Sequence, residues 1–402
     1  MHRFCRVPAA AMIGVSLLLV AACGSELQIT PAGYTEPSYP DDPVLPRLEQ
    51  LGVDAYLDQI LPVTSEAHPG SWAKASEWTV HRYGDHGEAR CFDGSEFFVS
   101  ERARSSDKVV IYTQGGGGCW SYDSCHNLPI FAKKDSSPIG EGTATRGILN
   151  DDEPQAALTD YSVVFGSYCD GSLWTGDATQ SYISADGTTS AETYHWGHRN
   201  VSALVTVARK HYPNARQIVV TGDSAGGYGT LMSSMVARMA WPQADIAILN
   251  DSGPWLMPVD QSLTDRIFDV WDVRTMMPPE CTRCTEHLAY YLEFLLPRDP
   301  HLRVGLFMRY DDFTIGTNFL QYGAQFPDVL LSVTDEIHEQ FPYRFKRYFA
   351  DGVKHTVITS NEVYSINAHG QPLDEWIQAL VQNTDAWGDQ ARGKLKSLRA
   401  DE

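Results

Sequence analysis

Apolar residues run in short unbroken blocks at 109–113, 162–167, 218–220, 246–249, 304–308 and 356–358. Blocks of this length without polar alternation suit strands covered on both faces. Between them, apolar positions recur at helical spacing over 196–211, 228–239, 285–296, 329–344 and 373–382. Strands alternating with helices predict an α/β architecture, a mostly parallel sheet between helical layers. Ahead of this region, Leu48, Leu51, Tyr56, Leu57 and Ile60 repeat like a helix that ends at Pro62, and extended pieces are expected around 78–83 and 96–100.

The N-terminus breaks the pattern. His2, Arg3 and Arg6 precede an apolar stretch, 7–22, that is too short to span a bilayer comfortably and reads as a targeting segment. It ends Val20-Ala21-Ala22-Cys23, which resembles a bacterial lipobox with Cys23 as the lipidated first residue of the mature chain. An ordinary secretory signal cut near the same place is the alternative; both place the protein outside the cytoplasm. With Gly24 next, the lipoprotein reading leans to the outer membrane of a Gram-negative cell, by analogy. Pro31, Pro37, Pro40, Pro43 and Pro46 make the following stretch a semi-extended tether. The expected organisation is a signal peptide at 1–22, a tether at 23–46 and one domain at 47–402.

Composition changes this picture little, but charge and cysteine content add to it. The 402 residues are 43% hydrophobic and 20% charged, with ample length for a large core. Lys and Arg number 31 against 51 Asp and Glu, a net charge of −20. Such a chain repels nucleic acid and anionic membrane surfaces. Six cysteines follow the leader: Cys91, Cys119, Cys125, Cys169, Cys281 and Cys284. An even number in an oxidising compartment argues for disulfides. Local spacing suggests Cys119–Cys125 and Cys281–Cys284, leaving Cys91–Cys169. A metal or redox role for Cys281-x-x-Cys284 lacks a second Cys/His pair at finger spacing and a thioredoxin-like context.

Residues 217–230, QIVVTGDSAGGYGT, hold the sharpest chemical signal. A β-branched run meets Gly222-Asp223-Ser224-Ala225-Gly226, then a helix. Strand, G-x-S-x-G, helix is a nucleophile elbow. The serine sits on a strained turn, so its neighbours two positions away must be small. A serine esterase also needs a base, an orienting acid and oxyanion donors. In this order of elements acid and base follow the serine. The block 304–308 runs into Tyr310-Asp311-Asp312, and Lys354-His355-Thr356 supplies a histidine. Only one of two adjacent carboxylates can face that histidine. The run Gly115-Gly116-Gly117-Gly118 after an early strand offers backbone N–H groups with no side chain in the way. No Lys-Ser/Thr follows, as a phosphate loop would need.

Four blocks together resemble the pectin acetylesterase/Notum family of serine esterases: Gln114–Trp120 as Gln-Gly-Gly-Gly-Gly-Cys-Trp, Tyr168-Cys169-Asp170-Gly171 running on to Gly176-Asp177, Gly222–Gly227 around Ser224, and Tyr310-Asp311 followed by His355. Cys91-Phe92-Asp93-Gly94-Ser95 and Gly197-His198-Arg199 add to the likeness. The resemblance implies an α/β-hydrolase fold, a mostly parallel sheet flanked by helices with lid insertions. It implies catalytic Ser224, Asp311 and His355, oxyanion donors at Gly117, Gly118 and Ala225, and no metal or organic cofactor. Two departures stand out. Gly118 occupies a position where family members carry Trp, and His355-Thr356 replaces a His-Cys pair. Residues 253–303 and 318–349 are the expected pocket-forming insertions; Trp120, Asp170 and Trp255 are candidate substrate contacts. The expected activity is hydrolysis of short acyl esters, acetyl on carbohydrate above all, by a monomer held to a membrane through its lipid. De-esterified pectin is an awkward partner for a chain this acidic. A non-catalytic binding lipoprotein on the same scaffold, and a lipid deacylase or amidase using the same three residues, are the alternatives.

Overall fold

The computed structural model describes residues 36–84 and 87–392. The leader, Cys23 and the first part of the tether lie outside the described residues. Among the described residues, the large sheet and one hairpin are built from β1 Thr64–Ala67, β2 Trp78–Tyr83, β3 Phe97–Arg102, β4 Lys108–Thr113, β5 Ser162–Gly166, β6 Ala178–Ile183, β7 Ser190–His195, β8 Gln217–Asp223, β9 Asp245–Asp251, β10 Leu302–Arg309 and β11 Phe345–Ala350; two-residue strands at Asn367–Ala368 and Gln371–Pro372 pair with each other. Nine form one sheet in the order β1-β2-β3-β5-β4-β8-β9-β10-β11, and β6 and β7 form a separate hairpin. From β5 to β11 every pairing is parallel; β1, β2 and β3 add an antiparallel edge.

Side-chain alternation explains why the central strands are apolar throughout. Val109 and Ile111 face one core, Val110 and Tyr112 the other; Ile218 and Val220 oppose Val219, and Ile246 and Ile248 oppose Ala247 and Leu249. Helices Gly197–His211 and Ala225–Ala240 pack on the first face, and Leu373–Gln382 on the second. Both faces are dry, so the polar residues of an alternating strand have no place.

Five of the six expected core strands form where the apolar blocks lie. The sixth does not: 356–358 is not a strand. Val357 N–H and Ile358 N–H donate to Asp251 Oδ2 at 2.6 and 2.9 Å instead of to a ladder. The last strand of the nine-stranded sheet is β11, eleven residues earlier, in a segment that carries Lys346 and Arg347. Arg347 is buried there because Asp335 and Asp389 neutralise it. The expected helix over 285–296 breaks into single turns and a short helix, Tyr291–Leu295. Residues 36–46, assigned to the tether by their prolines, lie on the domain: Tyr39 N–H bonds to Pro297 O at 3.1 Å and Arg298 pairs with Asp42 at 2.9 Å. The three cysteine pairs expected from spacing form, Cys91–Cys169, Cys119–Cys125 and Cys281–Cys284.

Candidate active site

Strand β8 delivers Ser224 into a tight corner. Its φ and ψ are 55° and −119°, a conformation costly for any residue with a Cβ, and the helix Ala225–Ala240 starts at the next residue. Two glycines make the corner possible. A Cβ on Gly222 would lie 2.4 Å from Gly226 O, and one on Gly226 would lie 1.8 Å from Thr113 O in the adjacent strand. We expect Gly226→Ala to destabilise the fold by more than about 4 kcal/mol, seen as loss of soluble protein or a sharply lower thermal midpoint. The corner is pinned from below, since Ser224 N–H donates to Asp251 O at 2.8 Å. The positive end of the helix lies under the serine, favouring negative charge there.

Asp251, at the end of β9, also organises the histidine loop. Its Oδ2 takes the two N–H groups of Val357 and Ile358, and its Oδ1 accepts from Ser252 Oγ at 2.7 Å. Burial still pushes its carboxyl up to about 6. One residue therefore holds the serine corner through its carbonyl and the segment after His355 through its carboxylate.

His355 Nδ1 bonds to Asp312 Oδ2 at 2.7 Å. A carboxylate only accepts, so Nδ1 carries the proton and Nε2 is the basic nitrogen. Nε2 is buried and bonded to nothing among the described residues. The acid expected here was Asp311, and the structure corrects that. Asp311 is exposed, whereas Asp312 is fully buried and fixed by Ile315 N–H on Oδ1 at 3.0 Å. β10 ends at Arg309 and the chain then turns, Asp312 N–H bonding to Arg309 O at 3.3 Å, which brings residue 312 inward and leaves 311 on the surface. Burial alone would lower the basicity of His355. The hydrogen bond to Asp312 and the charges of Asp312, Asp251 and Asp223 outweigh it and hold the imidazole above its ordinary value. Asp223 is itself raised by burial, against Tyr112 OH on Oδ1 at 2.8 Å and the positive charges of His355 and Lys133.

The glycine loop is zipped to 130–132. Gly118 N–H bonds to Ile130 O at 3.0 Å and Ala132 N–H to Gly116 O at 3.1 Å. Gly117 has φ 83°, and a Cβ there would lie 1.9 Å from Ile130 O. The Gly118 N–H, an expected oxyanion donor, is thus already occupied. Among the described residues the N–H groups of Gly116, Gly117 and Ala225 bond to nothing, and all three residues line the cavity that holds Ser224. Tyr168 steadies the loop, donating its OH to Gly117 O at 2.6 Å while accepting from Leu173 N–H at 3.0 Å. A lone tyrosine beside a cysteine gave no sequence signal for that role.

The cavity measures about 420 Å³, and its walls are mostly apolar. They come from 128–132, Leu173, Tyr228 and the turn Thr314–Phe319 that follows the buried acid. None of the three expected substrate contacts lines it. Trp120 lies behind Phe319, ring centroids 6.0 Å apart. Trp255 is fully buried and donates to Tyr228 O at 3.1 Å. Asp170 is also fully buried; its Oδ1 accepts from Ser172 N–H at 2.8 Å and Trp174 N–H at 3.3 Å, and burial pushes its carboxyl up to about 6. These side chains shape the wall from behind. The 253–303 segment likewise packs into the core through Leu256, Met257, Ile267, Phe268 and Trp271 and contributes nothing to the cavity wall.

A parallel sheet with a serine elbow after β8, a buried aspartate after β10 and its histidine after β11 defines an α/β-hydrolase-type fold. The pectinacetylesterase family model matches residues 74–293, more than half of the chain, and the chain belongs to that family. The match includes the glycine loop and Ser224 and stops before Asp312 and His355. Pectin acetylesterase 4 of Arabidopsis thaliana is 25% identical over 177 residues, 43% of this chain and 42% of that protein. Pectin acetylesterase 5 of Arabidopsis thaliana is 23% identical over 210 residues, 49% and 48% of the two chains. The palmitoleoyl-protein carboxylesterase Notum of Schmidtea mediterranea is 25% identical over 155 residues, 36% and 27%. The chain thus spans less than half the length of these curated relatives.

Proposed function

We propose that this protein is an exported serine esterase that hydrolyses carboxylic esters, with short acyl groups on carbohydrate as its main substrate class. The observation that carries this reading is the bond between His355 and the buried Asp312. It leaves one basic nitrogen unbonded in a site whose other half is a serine held in a strained corner. His355 Nε2 takes the proton from Ser224 Oγ as the oxygen attacks the ester carbonyl. The N–H groups of Ala225, Gly117 and Gly116 receive the oxyanion, each donor being worth roughly 3 kcal/mol in such sites. The imidazolium returns the proton to the leaving alkoxide, and the acyl group stays on Ser224. Water, deprotonated by the same nitrogen, then releases the acid.

A second reading, a deacylase for longer chains, is favoured by the apolar cavity, which has room for much more than an acetyl group. Two relatives are named for acetyl esters and two for palmitoleoyl esters. Export is supported by three disulfides within the described residues. Anchoring through Cys23 rests on the sequence Val20-Ala21-Ala22-Cys23. No helix among the described residues is long and apolar enough to cross a membrane.

The test is hydrolysis of p-nitrophenyl esters from acetate to palmitate, beside labelling with a fluorophosphonate. We expect turnover and a label on Ser224. Highest kcat/KM at acetate supports the deacetylase; a peak at long chains selects the second reading. A folded protein that neither turns over nor labels would overturn both.

A further inference from the structure

A second cluster of chemically capable side chains lies away from the serine, on the antiparallel edge of the sheet. His81 in β2, Glu101 in β3 and His211 at the end of the helix Gly197–His211 converge on one point. Strands β5 and β4 separate them from β8. His81 Nε2 and His211 Nδ1 both approach the same carboxylate oxygen, Glu101 Oε2, at 2.9 and 2.7 Å. The three ligand atoms lie within 4.8 Å of one another. His81 and Glu101 are buried, while 47% of the His211 side chain is exposed.

Both buried members of the cluster have further hydrogen-bond partners. The second nitrogen of His81 is held by Ser65 Oγ at 2.8 Å, which fixes the ring with Nε2 inward. The second oxygen of Glu101 accepts from Tyr212 OH at 2.6 Å. Metal-ligating histidines and carboxylates commonly carry such outer partners, which orient them and tune their basicity.

We propose that His81, Glu101 and His211 bind a divalent cation of the zinc class. Two imidazoles and one carboxylate make a borderline N₂O set, suited to zinc. Water completes the tetrahedron on the open side next to His211. Bond lengths near 2 Å place tetrahedral ligand atoms about 3.3 Å apart, so entry of the ion requires the ligands to open by roughly half an ångström. His211, on the solvent side at a helix end, supplies that movement. The bound ion would clasp the end of the helix to β2 and β3, a structural role independent of ester hydrolysis.

Calorimetric titration of the chelator-treated full-length protein with zinc chloride tests this, with cobalt(II) absorption as a second readout. We expect one equivalent to bind, a tetrahedral cobalt spectrum and a higher thermal midpoint with zinc. His211→Ala, at a half-exposed position, should fold normally and weaken zinc binding at least about tenfold; Glu101→Gln should do the same. Absence of binding to the wild type would overturn the proposal. So would binding of equal strength in wild type and His211→Ala, or an octahedral cobalt spectrum; such an ion would be held elsewhere. Esterase assays do not enter the test, so failure here leaves the reading of the serine site untouched.

Discussion

Ser224→Ala should hydrolyse p-nitrophenyl acetate at least about 10⁴-fold more slowly than the wild type while remaining folded. Without Oγ no acyl-enzyme forms, and only the cavity and the N–H groups of Gly116, Gly117 and Ala225 are left to speed attack by water. The substitution keeps a Cβ at φ 55°, so the backbone strain is unchanged and the thermal midpoint should stay close to the wild-type value. Ser224→Gly makes the complementary case. It should be equally inactive, yet more stable by about 1 kcal/mol or more, because glycine adopts this corner without the penalty of a side chain. Inactivity in both, with stability raised only in the glycine variant, would separate the chemical role of the oxygen from the conformational cost of holding it. Retained turnover in either variant would refute the assignment of Ser224.

Asp312→Asn should lower kcat by about 10³- to 10⁴-fold, whereas Asp311→Asn should leave it within about twofold of wild type. An amide at 312 can donate to Nδ1 and so stabilise the wrong tautomer, and it removes the charge that stabilises imidazolium. The pH profile gives a second check. His355 must be neutral to act as a base, and its carboxylate neighbours raise its pKa. Activity of the wild type should therefore fall as pH drops through a value above the ordinary 6.5 of histidine. Removing the Asp312 charge lowers the histidine pKa, so the acidic limb of the residual activity should move to lower pH. A loss confined to Asp311→Asn would show that the buried pair is not the working one.

Much of this arrangement was legible in the chain, for reasons that also mark where reading failed. The central strands were visible because both faces are buried, which leaves unbroken apolar blocks such as 109–113 and 246–249. Strand β11 was hidden by Arg347, whose burial depends on Asp335 and Asp389, distant in sequence. The opposite error arose at 356–358, where apolar side chains are buried but the backbone is held by the Asp251 carboxylate. Ser224 and His355 stood out by motif and order. The family resemblance pointed to Asp311 rather than Asp312, and it failed because the choice depends on how the chain turns after β10. The run Gly115–Gly118 gave no sign of which N–H the 130–132 segment would occupy. Trp120 stands in the glycine-loop block and Trp255 in an aromatic and Met-rich insertion, yet large aromatics are as readily core as wall.

The double hold exerted by Asp251 bears on how such a scaffold diversifies. Ser224 and the His355 loop are registered to one residue at the end of a central strand. The cavity, in contrast, is walled by 128–132 and 314–319, which branch from the sheet elsewhere. Each wall segment is also tied to the centre at one point, Ile315 N–H on the Asp312 carboxylate and 130–132 on the glycine loop, so only the wall residues outside these contacts are free to change polarity without shifting the nucleophile against its base. The segments that shape the cavity thus share their anchoring with the residues around Ser224 and His355, and a change of wall is tolerated only where it spares the Ile315 and 130–132 contacts.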